Sequence, residues 1–172
     1  MKKTQLFFGV VLFLTLFRSG CYSGETIETP SQFEIYYSFG VDEKNILDTK
    51  NNLYVKDLIC GGLSEDYDFQ LTESEKMTIY NSVLENDLFN IKEDFAENCD
   101  SEGLCQIITP LYSATLKITK DGKTKTIKYS GEYIYENDPE LKKFLNVEKV
   151  IRDIISQKEK EMNIEQPQCG YI

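Results

Sequence analysis

The chain has 172 residues, with 29 Asp and Glu against 19 Lys and Arg, no His, no Trp and five Cys, a composition that fits one small acidic domain. The absence of histidine excludes every Ser-His, Cys-His and His-metal site and any pH switch built on imidazole. The acidic excess repels phosphate backbones, so no nucleic-acid partner is expected.

Lys2 and Lys3 precede the uncharged run Leu6 to Phe17, 12 residues long. That length fits the apolar region of a signal peptide, since a membrane-spanning helix needs roughly 18 or more such residues. Residues 1–20 are therefore expected to be removed on export. Arg18-Ser19-Gly20-Cys21 follows, with small residues directly before a cysteine. This pattern resembles the lipobox of bacterial lipoproteins, although Arg18 stands where that pattern carries Leu or another aliphatic residue. The resemblance implies that Cys21 becomes a lipidated N-terminus, carrying palmitate-type acyl chains and anchoring the protein in a membrane. Ordinary secretory cleavage between Ser19 and Gly24 is the alternative and would release a soluble product. Loss of residues 1–20 removes three basic residues and no acid, leaving 16 basic against 29 acidic residues, a net charge of −13.

Residues 21–30 are small and polar, as suits a tether. A single domain is expected over residues 31–160. From Gln32 to Phe39 the chain alternates strictly, with Phe33, Ile35, Tyr37 and Phe39 on one side, which predicts a strand with one buried face. Asn45 to Thr49 and Leu53 to Leu58 are strand candidates around Lys50-Asn51-Asn52, where Asn supplies the positive φ of a tight turn. Cys60-Gly61-Gly62 breaks the pattern. Thr72 and Glu75 form a capping-box pair, predicting a helix over residues 73–86 with Met77, Tyr80, Val83 and Leu84 inward. Residues 93–109 lack periodicity and read as an excursion loop.

Tyr112 to Thr119 and Lys123 to Ser130 flank Asp121-Gly122. A two-residue type I′ turn there sets Lys120 opposite Lys123 and pairs Ile118 with Lys125, Leu116 with Ile127 and Ala114 with Tyr129. Asp138 then Pro139 is a helix start, with the stripe Leu141, Phe144, Leu145, Val147, Ile151, Ile154 and Ile155 buried and Lys158 to Glu161 solvated. Residues 161–172 form a polar tail, frayed unless Cys169 is tied down. The expected fold is α+β: an antiparallel sheet built from hairpins with two amphipathic helices on one face, a single two-layer domain. This order of elements behind an acylatable cysteine resembles small bacterial envelope lipoproteins of uncharacterised function, a likeness that carries over only Cys21.

The remaining cysteines are Cys60, Cys99, Cys105 and Cys169. An even number in an exported chain points to disulfides, with three connectivities open. Cys99–Cys105 and Cys60–Cys169 is preferred: the first closes a short loop and the second pins the tail. A thiolate metal site or redox dithiol would need C-x-x-C, which is absent, so neither a metal nor any other cofactor is expected. Asn98 to Gly103 mimics the first half of a calcium loop, but Thr109 stands where the bidentate Glu belongs.

Lys117, Lys120, Lys123, Lys125 and Lys128 gather on the hairpin as a candidate docking patch for an anionic partner, or as a solubilising strand face. Tyr36, Tyr54, Tyr133 and Tyr135 are candidates for a recognition surface or for half-buried sheet positions. Glu34, Asp48, Asp57 and Glu132 lie near strands, where two carboxylates would suffice for a glycosidase, yet no catalytic motif appears. The residues thus favour a non-enzymatic, lipid-anchored, extracytoplasmic module that binds an envelope protein or glycan. A carboxylate hydrolase acting on envelope glycans and a secreted enzyme inhibitor are the alternatives.

Overall fold

A computed structural model describes residues 32–135 and 137–171. The signal peptide, Cys21 and the tether lie outside the described residues. Among the described residues seven strands form one sheet: β1 (Glu34–Val41), β2 (Asn45–Asp48), β3 (Leu53–Asp57), β4 (Ser64–Asp68), β5 (Asp94–Phe95), β6 (Tyr112–Lys120) and β7 (Lys123–Ser130). Their spatial order is β4, β3, β2, β1, β6, β7, β5. Among the described residues the helices α1 (Glu73–Glu85) and α2 (Pro139–Met162) join this sheet in an α+β fold.

The sheet is mixed rather than purely antiparallel, because β5 pairs with β7 in parallel through Asp94 opposite Lys128 and Phe95 opposite Tyr129. The segment read as a pure excursion loop contributes this strand, and the physical reason is Phe95, whose ring is fully buried against Phe144 and Tyr133. β4 is a further strand without a sequence forecast. Its residues Ser-Glu-Asp-Tyr-Asp are poor strand formers, and pairing with β3 holds them in place.

Elsewhere local chemistry decides. In the β6–β7 hairpin Asp121 (φ 48°) and Gly122 (φ 76°) both take positive φ, as a type I′ turn demands, and the register pairs Lys120 with Lys123, Ile118 with Lys125 and Leu116 with Ile127. Asn52 (φ 51°) supplies the positive φ between β2 and β3. Glu75 N donates to Thr72 Oγ1 at 3.2 Å while Thr72 N donates to Glu75 Oε2 at 2.6 Å, a complete capping box for α1. Asp138 Oδ1 accepts from Glu140 N at 2.8 Å at the head of α2, with Pro139 in the first turn.

Ile35, Tyr37, Leu47, Tyr54, Leu116, Ile118 and Ile127 from alternate strand positions share one core with Ile79, Tyr80 and Val83 of α1 and Phe144, Val147, Ile151 and Ile155 of α2. Leu84, expected inward, is exposed, and Ile79 is buried instead. The helices lie antiparallel. Lys158 near the end of α2 meets Glu75 at the start of α1, and Asn146 meets Asn86 at the other extreme.

Register gives the sheet two distinct ends. Glu34 faces Thr119 and Val41 faces Tyr112. The chain therefore enters β1 at the end that carries the β2–β3 and β6–β7 turns, here termed the turn end. The β1–β2 turn, the Cys60–Gly62 3-10 turn and loop 96–111 lie at the opposite end, together with both disulfides, Cys60–Cys169 and Cys99–Cys105. Two disulfides suit an oxidising, extracytoplasmic environment. Among the described residues no helix is long and apolar enough to cross a membrane.

Candidate functional site

Helix α2 buries two acids, one of them within the end the sequence suggests is solvated. Glu148 follows Phe144 by four residues and Glu159 follows Ile155 by four, so both carboxylates fall on the apolar stripe and both are buried. Each meets hydroxyls from the sheet. Tyr37 Oη donates to Glu148 Oε1 at 2.7 Å, and Tyr112 Oη donates to the same oxygen. Tyr54 Oη donates to Glu159 Oε1 at 2.5 Å, and Lys56 Nζ reaches that oxygen at 2.7 Å. Lys158 to Glu161 is thus not uniformly solvated as expected: Glu159 is needed to satisfy a fully buried tyrosine.

Burial first, then the adjacent carboxylate, pushes the Tyr37, Tyr54 and Tyr112 hydroxyls well above their ordinary range, so all three remain donors. Arg152 sits between the two acids, with its guanidinium 5.5 Å from the Tyr112 ring and 6.0 Å from that of Phe39. It lines two small clefts beside α2, of about 200 Å³ with Tyr54 and Lys56 and about 320 Å³ with Glu148 and Ser156. Eleven residues of helix separate Glu148 from Glu159 by about 16 Å along the axis, beyond the roughly 5–9.5 Å that glycoside cleavage requires. These acids anchor α2 to the sheet and do not form a hydrolytic pair.

A larger cleft, of about 760 Å³, opens at the disulfide end between Lys92, Glu97, Tyr133 to Tyr135 and Asn137 to Pro139. Lys92 Nζ lies 2.7 Å from Asp138 Oδ2, and Tyr133 Oη donates to that oxygen at 2.8 Å. Lys92, then Tyr133 and the helix N–H groups, hold the Asp138 carboxyl down at about 2. Lys92 Nζ also stands 4.7 Å from the ring centres of Phe95 and Tyr133. Tyr135 packs edge-on against Tyr133 at 5.4 Å and leaves 45% of its surface exposed. The cation, the acid and the phenol satisfy one another, which makes this cleft a wall of fixed polar groups beside an accessible ring.

Loop 96–111 borders the cleft. Asp100 Oδ1 accepts from Glu102 N and Leu104 N, both at 2.9 Å, and Ile134 N donates to Glu97 O at 3.1 Å. Glu132 accepts from Ile108 N at 3.1 Å and from Asn98 Nδ2 at 3.3 Å. Of the calcium-like acids, Asp100 is therefore occupied by the loop's own backbone. Among the described residues no cluster of metal-ligating side chains occurs. Within this pinned loop Leu104 is 68% exposed, Ile107 80% and Ile108 37%.

The five hairpin lysines do not form one patch. Lys125 turns inward, its Nζ 2.6 Å from Ile91 O, and Lys120 lies over the Tyr80 ring at 5.1 Å. Lys117 and Lys128 stay exposed on the outer face, and Lys123 stays exposed at the turn. Tyr54 and Tyr133 are buried, leaving Tyr36 and Tyr135 as the exposed pair of the four tyrosines. Glu34 and Asp48 line an outer-face cleft of about 500 Å³. There Lys50 lies 3.6 Å from Glu34, and Asp48 caps its own turn through Lys50 N at 3.0 Å. Asp57 accepts from Ile59 N at 2.9 Å and from the Tyr171 hydroxyl.

Sequence reasoning missed Lys92, Glu148, Arg152 and Glu159. The four-residue spacing of each Glu from an apolar stripe residue was the available signal. Leu104, Ile107 and Ile108 were missed as well, because the acids around them mark the loop as polar. No protein-family model and no curated protein matches the chain, so the assignment of function stands on this geometry.

Proposed function

We propose that this chain is a non-enzymatic interaction module of the bacterial envelope, held at a membrane by lipid on Cys21. Its body is a two-layer domain in which both helices cover one sheet face, and it works by presenting a surface to an envelope protein or glycan. The observation that carries this reading is the disposition of the acids. Of the three buried carboxylates among the described residues, Glu148 and Glu159 are taken up by tyrosine hydroxyls at positions about 16 Å apart along α2 and Asp57 by Ile59 N and the Tyr171 hydroxyl, whereas exposed aromatic and aliphatic side chains gather at the disulfide end around Tyr135 and loop 96–111. A carboxylate hydrolase would need two acids free to act in one cleft, whereas in the outer-face cleft Glu34 lies 3.6 Å from Lys50 and Asp48 accepts from Lys50 N in its own turn.

Two measurements test the proposal. Expressed with its own leader in a bacterial host, the protein is expected to fractionate with membranes and to show a mass for cleavage before Cys21 plus acyl chains. Cys21→Ser is expected to release it, and an unacylated soluble product of the unaltered chain overturns the anchor. Incubation with purified cell-wall glycan is expected to yield no new reducing ends; reducing ends that vanish in Glu34→Gln or Asp48→Asn overturn the non-enzymatic reading.

A further inference from the structure

We infer that loop 96–111 is a preformed wedge that docks a protein partner whose surface offers an apolar pocket rimmed by Lys or Arg. The inference rests on the interaction-module reading and names its surface and partner. Leu104, Ile107 and Ile108 are large aliphatic side chains held in water by a loop that has few ways to withdraw them. The Cys99–Cys105 bond, the Asp100 turn and the Glu132 contacts fix the loop from inside and from behind. Rigidity of this kind lowers the ordering cost of binding, and grouped exposed apolar side chains mark interaction sites.

Charge selects the partner. Glu97, Asp100 and Glu102 lie in the same loop as the aliphatic tips, Glu132 binds that loop at Ile108 N, and among the described residues none of the four pairs with a Lys or Arg. An acidic collar around an apolar tip complements a basic rim around an apolar pocket. The same collar disfavours an anionic bilayer and a second copy of this chain. Topology agrees: the chain enters β1 at the turn end, and the eight residues of that strand put the loop about 27 Å further along. An anchored domain therefore carries the loop on the side away from its tether.

The experiment is site-directed photo-crosslinking of the full-length protein in its producing cells, with a benzophenone side chain placed singly at Leu104, Ile107 or, as the turn-end control, Lys123. The expected result is one protein adduct from positions 104 and 107, at least tenfold stronger than from 123, with peptide mapping that puts Lys or Arg beside the linkage. Glu102→Lys in the same background is expected to cut the adduct at least fivefold while leaving thermal unfolding unchanged. Equal yields from all three positions, adducts only with lipid or with a second copy, no adduct, or an adduct indifferent to Glu102→Lys each overturn the inference. Repeating the experiment with Cys21→Ser separates the two readings. An adduct that persists in the released protein upholds the docking loop whatever the fate of the anchor, and loss of the adduct without loss of membrane association strikes the loop alone.

Discussion

The two ends of the sheet are built by different means. At the turn end, Asp121-Gly122 and Asn52 reverse the chain through backbone angles that their own residue types favour, and partners lie within a few positions of one another. At the disulfide end, local ties such as Cys99–Cys105 are joined by long-range ones: Cys60 to Cys169 across 109 residues, Tyr171 to Asp57 across 114, and Ile108 to Glu132 across 24. The first end is specified by dipeptides and tolerates change nearby. The second depends on covalent and side-chain ties, and it bears the exposed aliphatic groups.

The comparison breaks most visibly if the long disulfide is removed. Cys60→Ser with Cys169→Ser is expected to cost about 4–5 kcal/mol from loop entropy, against about 2 kcal/mol for Cys99→Ser with Cys105→Ser. Urea unfolding of both pairs reads the difference, and equal losses would show that the long bond does not close the fold. Phe95→Ala comes next, at about 3–4 kcal/mol, because it empties the site that holds β5 in the sheet. Amide exchange at Lys128, whose N–H donates to Glu93 O, is expected to accelerate in that variant.

At the turn end, Gly122→Ala is expected to cost only about 1 kcal/mol through its positive φ, with the strand register retained by NMR. The smallest effect is electrostatic. The Asp138 carboxyl lies at about 2, below its ordinary 3.8, so its contribution is fully present above the ordinary value and is lost as pH falls through the folded one. Asp138→Asn is expected to flatten the acid limb of a stability profile between those two values. An unchanged limb would mean that Lys92 and the α2 N–H groups do not favour the ionised form.

The same contrast explains what was legible in the sequence. The β6–β7 register, the Thr72–Glu75 box and the Asp138 cap are local signals, and each can be read from fewer than twenty consecutive residues. β4 and β5 are not local. Ser64 to Asp68 is a strand only because β3 lies beside it, and Asp94–Phe95 only because one ring finds the core. Glu148 and Glu159 look like solvent-facing charge until Tyr37, Tyr54 and Tyr112 are seen to need acceptors. At the candidate site the cysteines stood out, whereas the aliphatic tips between and after them were masked by Asp100 and Glu102. The five hairpin lysines do not share one face, because the two-residue alternation that built the hairpin sends Lys125 to the other face from Lys117 and Lys128.

The Cys60–Cys169 bond also bears on the order of events during maturation. In a chain threaded across a membrane from its N-terminus, Cys60 arrives with no native partner and stays a free thiol while β4, α1, the short disulfide loop, β6, β7 and all of α2 pass through. Cys99 and Cys105, six positions apart, arrive almost together. Native oxidation of the long bond therefore waits for Cys169 to emerge, and until then Cys60 is open to capture by the next thiol that follows it, which is Cys99.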